Sequence, residues 1–119
     1  MKTLVIGASD NPERYSYLAI NRLRKFGHDV EAIGLRENRK VADVTIQKGL
    51  PELKDIDTVT LYLNPSNQIP YYDYLLKLHP RRVIFNPGTE NPELENKLNE
   101  NNIDVEEACT LVMLSTGQF

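Results

Sequence analysis

Short apolar runs and helical apolar repeats alternate along this chain, and the alternation predicts its secondary structure. Residues 2–6 form an apolar run typical of a strand, and residues 12–26 carry apolar side chains at helical spacing and stop at Gly27. The same two patterns recur downstream, where they predict strands over residues 29–33, 58–63, 83–85 and 103–106 and helices over residues 66–78 and 92–101. Residues 44–46 fit a short extended piece, and the apolar tail 111–114 fits either a last helical turn or a strand.

The apolar residues of the two longer helices mark the faces that we expect to lie on the core. In the first helix they are Tyr15, Leu18, Ala19, Leu23 and Phe26. In the second helix, which Ser66 is expected to cap and which tolerates Pro70 in its first turn, they are Ile69, Tyr72, Leu75 and Leu76.

This succession of strands and helices predicts an α/β fold. We expect a doubly wound parallel sheet of about five strands with helices on both faces, in three α/β/α layers. At 119 residues the chain is expected to form one domain over residues 1–119. In such sheets ligands bind beyond the carboxyl ends of the strands, so the segments that follow the predicted strands are the candidate site.

Composition and charge exclude several classes of function. The chain is 40% hydrophobic and 26% charged with a formal net charge of −3, which argues against a nucleic-acid binder. Its apolar runs are too short for a membrane span, and its start lacks the pattern of a signal peptide. The single cysteine, Cys109, forms no internal disulfide. We therefore expect a cytoplasmic protein in a reducing compartment.

The segment after the first strand predicts an anion site. Gly7-Ala8-Ser9 leads into Asn11 and Pro12, which are expected to form the N-cap and first position of the helix. The nicotinamide fingerprint G-x-G-x-x-G would need glycines at 7, 9 and 12, and only the first is present. Backbone N–H groups of the loop and of the helix start still favour a phosphate.

Cations flank this loop in the sequence. Arg14 lies in the expected first helical turn, where a cation opposes the helix dipole unless an anion compensates it, and Ser16 follows. Arg36, Arg39 and Lys40 come after the second strand, where a nicotinamide reader usually carries an acid for the ribose. They suit a phosphate on the adenosine ribose, although a solvated charged loop would have the same composition.

Residues that could carry a reaction are few. His28 and His79 lie at helix-to-strand junctions, away from the carboxyl ends, and do not suggest a metal site. Cys109 is the one potential nucleophile, but no histidine is expected beside it, which favours an inert buried thiol. Glu106 and Glu107 lie near the end of the fifth strand, where they could face either the cleft or solvent. We predict no catalytic and no metal-binding residues.

The run Val5–Ser16 closely resembles the opening motif of the CoA-binding domain family, the Rossmann-like nucleotide-binding part of succinyl-CoA synthetase and related acyl-CoA synthetases. Residues Gly27–Val30 and Cys109 add to the similarity. The resemblance implies a Rossmann-like fold and a small stand-alone protein that binds coenzyme A or an acyl-CoA. Because the sequence offers no credible catalytic set, we expect a binding module rather than an enzyme. The resemblance implies no catalytic histidine, because the phosphorylated histidine of the synthetases lies outside this domain.

The resemblance also implies how the ligand contacts are shared. The diphosphate would be held by Gly7, Ala8, Ser9 and Arg14. The loop after the second strand that carries Arg36, Arg39 and Lys40, called the basic loop below, would lie near the adenosine. Expected contacts along the remaining strand ends are Gly34, Asn64, Pro65, Asn86, Pro87 and Gly88. Three alternatives stay open: an NADP-binding module, a small acyl-CoA enzyme using Cys109 or Glu106/Glu107, and a degenerate fold used for protein contacts. A protein partner or a homodimer is compatible with each.

Overall fold

A computed structural model describes residues 2–119, which form a seven-stranded sheet in the order β3-β4-β2-β1-β5-β6-β7. The strands are β1 (Lys2–Ala8), β2 (Asp29–Gly34), β3 (Lys40–Val41), β4 (Val44–Gln47), β5 (Ile56–Leu61), β6 (Arg82–Phe85) and β7 (Asp104–Glu107). All neighbouring strands pair in parallel except β3 and β4, which are antiparallel. The predicted doubly wound α/β class is confirmed.

Helices cover both faces of the sheet. They are α1 (Tyr15–Lys25), α2 (Pro65–Gln68), α3 (Tyr72–Leu78), α4 (Pro92–Glu100) and α5 (Thr110–Ser115). Alternate residues of β1 point to opposite layers, as the pleat of a strand requires. Leu4 and Ile6 pack in the core that contains the buried residues of α3 and α4, whereas Val5 packs in the core of α1 and α5.

The strand order places a topological switch point beside β1. The chain runs from β1 to β2 on one side and later returns to β5 on the other. Open sheets of this kind bind ligands in the crevice outside the carboxyl ends at such a point. The loop after β1 therefore lies where the topology favours a site.

The expected strand count is too low, because the segment after β2 contains a small hairpin. The extended piece expected at residues 44–46 is confirmed as β4, and it pairs with β2. Lys40–Val41 forms an additional strand that pairs with β4, so Lys40 lies in a strand rather than in the basic loop. The expected strand at 58–63 lies at Ile56–Leu61.

The first helix begins later than expected, and its buried face matches the expected one only at Ala19 and Leu23. It starts at Tyr15 with Arg14 at the N-cap, so Asn11 and Pro12 do not start the helix. The buried residues are Ser16, Ala19, Ile20 and Leu23. Tyr15, Leu18 and Phe26 are instead 71%, 39% and 54% exposed.

The helix expected over residues 66–78 is two helices separated by a 3-10 turn at Ile69–Tyr71. Its cap is Asn64 rather than Ser66, since the Asn64 side chain accepts a hydrogen bond from the Asn67 N–H. Pro70 lies inside the turn and has no N–H to continue the helical hydrogen bonds, which explains the break. Ile69 is exposed, against expectation, while Leu75 is buried as expected.

The apolar tail is the helix α5, one of the two arrangements that its pattern allows. Its Met113 and Leu114 are buried against the same face of the sheet as α1. No helix within residues 2–119 is both long enough and apolar enough to cross a membrane.

Candidate functional site

At the switch point the backbone of Gly7 lies close to the end of β5. Gly7 has a φ of +91°, and a Cβ placed on it would lie 2.9 Å from the carbonyl carbon of Tyr62. The Tyr62 N–H in turn donates to the Ile6 carbonyl at 2.9 Å. Only glycine has both the backbone freedom and the space that this position requires. The sequence prediction that the first glycine serves the turn agrees with this geometry.

A second close approach joins the loop to β2. Gly34 pairs with Ala8, and a Cβ on Gly34 would overlap the Ala8 carbonyl oxygen. The register between β1 and β2 shifts between Ile6 and Ala8, so the strand is irregular where it leaves the sheet. Gly34 is buried, so it packs directly against the backbone of the loop after β1.

Hydrogen bonds within the loop hold its shape. The Ser9 hydroxyl accepts from the Asn11 N–H at 3.1 Å, and the Asn11 side-chain oxygen accepts from the Glu13 N–H at 3.0 Å. The Asn11 carbonyl accepts from the Arg14 N–H at 3.0 Å. Ser9 and Asn11 thus fix the loop conformation, and the Ser9 hydroxyl proton stays free to donate to a ligand.

The N-terminus of α1 has no side-chain cap. Arg14 occupies the N-cap position without a capping hydrogen bond, and the first turn contains no acidic residue. Arg14 is exposed, and no carboxylate pairs with it in the described part of the chain. Backbone N–H donors, the positive end of the helix dipole and an unpaired cation therefore meet beside the Gly7 loop, which suits an anion. Ser16 is buried in this first turn.

An ion pair connects the basic loop after β2 to the loop after β1. Arg39 Nη1 lies 3.8 Å from Asp10 Oδ2, and both side chains are partly exposed. Arg36 and Lys40 are exposed. Gly34 and the loop that begins there thus lie next to the loop after β1, as expected for neighbouring parallel strands.

Asn64, Pro65, Pro87 and Gly88 are exposed after β5 and β6. From the end of β2 to the end of β6 is three strand spacings, about 14 Å. The expected site residues of the four loops therefore share one edge of the sheet. Asn64 uses its side chain to cap α2, and the Gly88 N–H donates to Glu90 at 2.8 Å.

Asn86 differs from the other expected contacts, because it is buried and its amide is fully engaged. Its Nδ2 donates to the Thr60 hydroxyl at 2.7 Å and to the Leu61 carbonyl at 2.9 Å. Its Oδ1 accepts from the Thr110 N–H at 2.8 Å, at the start of α5. Asn86 therefore connects β5, the end of β6 and the start of α5 by hydrogen bonds beneath the exposed loops at this edge of the sheet.

Gln68 and Asn91 form a second buried network, which sequence reasoning missed. Gln68 Nε2 donates to the carbonyls of Leu63 and Thr89 at 2.8 Å each, and its Oε1 accepts from Asn91 Nδ2 at 2.9 Å. The network fixes the loops after β5 and β6 relative to each other. Asn91 before Pro92 is a helix-start signal that the sequence offers, since Asn is a favoured N-cap and Pro a favoured first residue.

Tyr62 is another residue at this edge that sequence reasoning did not identify. Its hydroxyl is buried and has no hydrogen-bond partner among residues 2–119. Burial raises the pKa of Tyr62 to about 12, against the opposing effect of the nearby Thr60 and Thr110 hydroxyls. The phenol is therefore neutral at physiological pH.

The two carboxylates considered for catalysis do not converge, and Cys109 follows them in the chain. Cys109 is half-buried at the N-cap of α5. Glu106 Oε2 accepts from Arg82 Nη1 at 3.2 Å, and a hydrogen bond with the Glu95 carboxyl, together with its charge, raises the pKa of Glu107. Glu106 and Glu107 are neighbours in β7 and point to opposite faces of the sheet, so they do not form an acid/base pair.

Comparison with known proteins identifies the family and the fold of the chain. The model of the CoA binding domain family matches residues 1–115. A crystal structure of an uncharacterized protein is 51% identical, with 99% of this chain and 97% of that chain covered and a TM-score of 0.95. Cell-free ID.343 from Thermus thermophilus is 25% identical, with coverages of 99% and 90% and a TM-score of 0.87.

A larger protein contains the same fold as one part. The dinucleotide-forming acetyl-coenzyme A synthetase 1 of Ca. Korarchaeum cryptofilum, solved with phosphate and ADP, is 16% identical, with a TM-score of 0.72 over 90% of this chain and 25% of that one. No curated protein matches the chain. The family match over nearly the whole chain shows that this protein belongs to the CoA binding domain family.

Proposed function

We propose that this protein binds coenzyme A or an acyl-CoA and catalyses no reaction. The observation that carries the proposal is the uncapped N-terminus of α1, which lies beside the Gly7 loop at the switch point with Arg14 unpaired. The ligand diphosphate would accept from the N–H groups of the loop and of the first helical turn. Membership of the family supports CoA as the nucleotide.

The other contacts follow from where the strands end. The basic loop would lie near the ribose phosphate of the adenosine, and Asn64, Pro65, Pro87 and Gly88 would border the pantetheine. Asn86 would act indirectly, since its amide is engaged within the protein. The separate positions of Glu106 and Glu107 favour a binding module over an enzyme that uses both.

A calorimetric titration with CoA, dephospho-CoA, NADP and NAD at one salt concentration tests the proposal. We expect CoA to bind most tightly, and Arg14→Ala to weaken it about tenfold or more, since a charge-assisted hydrogen bond contributes about 1.5–3 kcal/mol. Arg22→Ala is the matched control, because Arg22 is exposed in the last turn of the same helix and its removal changes the net charge equally.

The same titration separates the alternatives. Tighter binding of NADP than of CoA would favour a nicotinamide-binding module. If none of the four ligands binds, the proposal fails and a protein-contact role becomes the better description.

A further inference from the structure

An ion pair between Asp10 and Arg39 connects two loops of the candidate site. Asp10 lies in the loop after β1, and Arg39 lies at the end of the loop after β2. Their charged atoms are 3.8 Å apart, which is an ion pair without a direct hydrogen bond. A carboxylate in a loop suited to phosphate is unexpected, because it repels the anion that the loop would hold.

The backbone of Arg39 is fixed while its side chain is free to change partner. The Arg39 carbonyl accepts from the Ile46 N–H at 2.7 Å, and the Asn38 N–H donates to the Ile46 carbonyl at 3.1 Å. Asn38 has a φ of 63°, a conformation that asparagine tolerates. The side chain of Arg39 therefore extends from a fixed base toward the loop after β1.

The pair itself is weak and exchangeable. The side chains of Arg39 and Asp10 are 51% and 37% exposed, so water screens their attraction. A phosphate monoester carries close to two negative charges at neutral pH and can bind a guanidinium through two parallel hydrogen bonds. Such a group competes well with a single carboxylate that makes no hydrogen bond.

We propose that Asp10 is an internal competitor for Arg39. Its carboxylate holds the guanidinium while the site is empty, and a phosphate on the ribose of the ligand displaces it. This inference rests on the proposed function, and the position of Arg39 after β2 is where related sheets place an arginine for a ribose phosphate. Asp10 thereby lowers affinity for ligands that carry this phosphate and leaves others nearly unaffected.

The test is a double-mutant cycle, measured by calorimetric titration with CoA and dephospho-CoA. Asp10→Asn should tighten CoA binding about two- to fivefold, the range expected for an exposed ion pair, and dephospho-CoA binding less than twofold. In the Arg39→Gln background Asp10→Asn should change neither affinity. As the control, Glu37→Gln removes one negative charge from the loop that contains Arg39 and should leave the affinity for CoA within about twofold.

Other outcomes overturn the inference. Equal gains for both ligands that persist without Arg39 would mean that Asp10 only repels the diphosphate. No gain for CoA would mean that it does not compete. If the wild-type protein binds CoA but the cycle shows no coupling between Asp10 and Arg39, this inference fails and the proposed function stands. If the wild-type protein binds neither CoA nor dephospho-CoA, the inference and the proposed function both fail.

A measurement on the unaltered protein guards against a folding defect in the variants. The side-chain Nε–H resonance of Arg39 in the wild-type protein should shift on addition of CoA and stay in place with dephospho-CoA. An unmoved Arg39 resonance at saturating CoA would refute the exchange.

Discussion

Replacing Gly7 with alanine should destabilise the protein far more than the same change at Gly88. Both glycines have a φ of +91°, so alanine suffers the same backbone strain at each, about 1–2 kcal/mol. At Gly7 the new Cβ would also lie 2.9 Å from the Tyr62 carbonyl carbon, whereas at Gly88 nothing lies within 4 Å. Overpacking of this kind costs about 1–3 kcal/mol. We therefore expect losses of about 2–5 kcal/mol for Gly7→Ala and about 1–2 kcal/mol for Gly88→Ala.

Urea unfolding followed by far-UV circular dichroism measures the difference, since the chain has no tryptophan to report by fluorescence. Gly88→Ala is the matched control for backbone strain. Equal free energies of unfolding for the two variants, within about 0.5 kcal/mol, would refute the close approach of the loop to β5.

Three further predictions concern groups around the site and the sheet. Asn86→Ala should lower the free energy of unfolding by about 2–4 kcal/mol in a urea titration, because it leaves buried backbone partners without hydrogen bonds. Tyr62→Phe should keep or raise the melting temperature, since the lost hydroxyl has no partner among residues 2–119, and a clear fall would contradict that. The Arg81 guanidinium holds the pKa of Asp57 below its usual range, mainly by hydrogen bonding. The ion pair therefore stabilises the folded state fully above the pKa of Asp57 in the unfolded chain, near 3.9. This stabilisation is lost as the pH falls through the lower pKa of Asp57 in the folded protein. Asp57→Asn should thus cost up to about 1 kcal/mol at pH 7 and progressively less as the pH falls below about 3.9, as unfolding measured over this pH range would show.

The order of strands and helices was predictable because each run of residues had one dominant period. The turn after β1 was predictable too, since Gly7 and the turn residues that follow it are local signals. The buried face of α1 was predictable only in part, since Ala19 and Leu23 are buried as expected but Tyr15, Leu18 and Phe26 are exposed. Apolar residues occur on two adjacent stripes of this helix, one with Leu18 and one with Ile20. Ala19 and Leu23 belong to both stripes, so helical spacing alone does not decide which stripe meets the sheet; packing against the sheet and α5 decides it.

The β3–β4 hairpin escaped prediction for a different reason. Its turn contains Ala42 and Asp43, and Ala42 has a φ of 55°. Hairpin turns with positive φ usually carry glycine or asparagine, so this one has no local signal. The pairing of Asp10 with Arg39 is equally hidden, because it joins loops that only the sheet brings together.

The most direct test of the proposed CoA site is an ¹⁵N–¹H NMR titration of the wild-type protein with CoA. We predict that the largest shifts fall on the backbone N–H groups of Gly7–Ser9 and of Tyr15 and Ser16, at the loop and the uncapped start of α1. Shifts confined to other surfaces, or none at saturating CoA, would contradict the account.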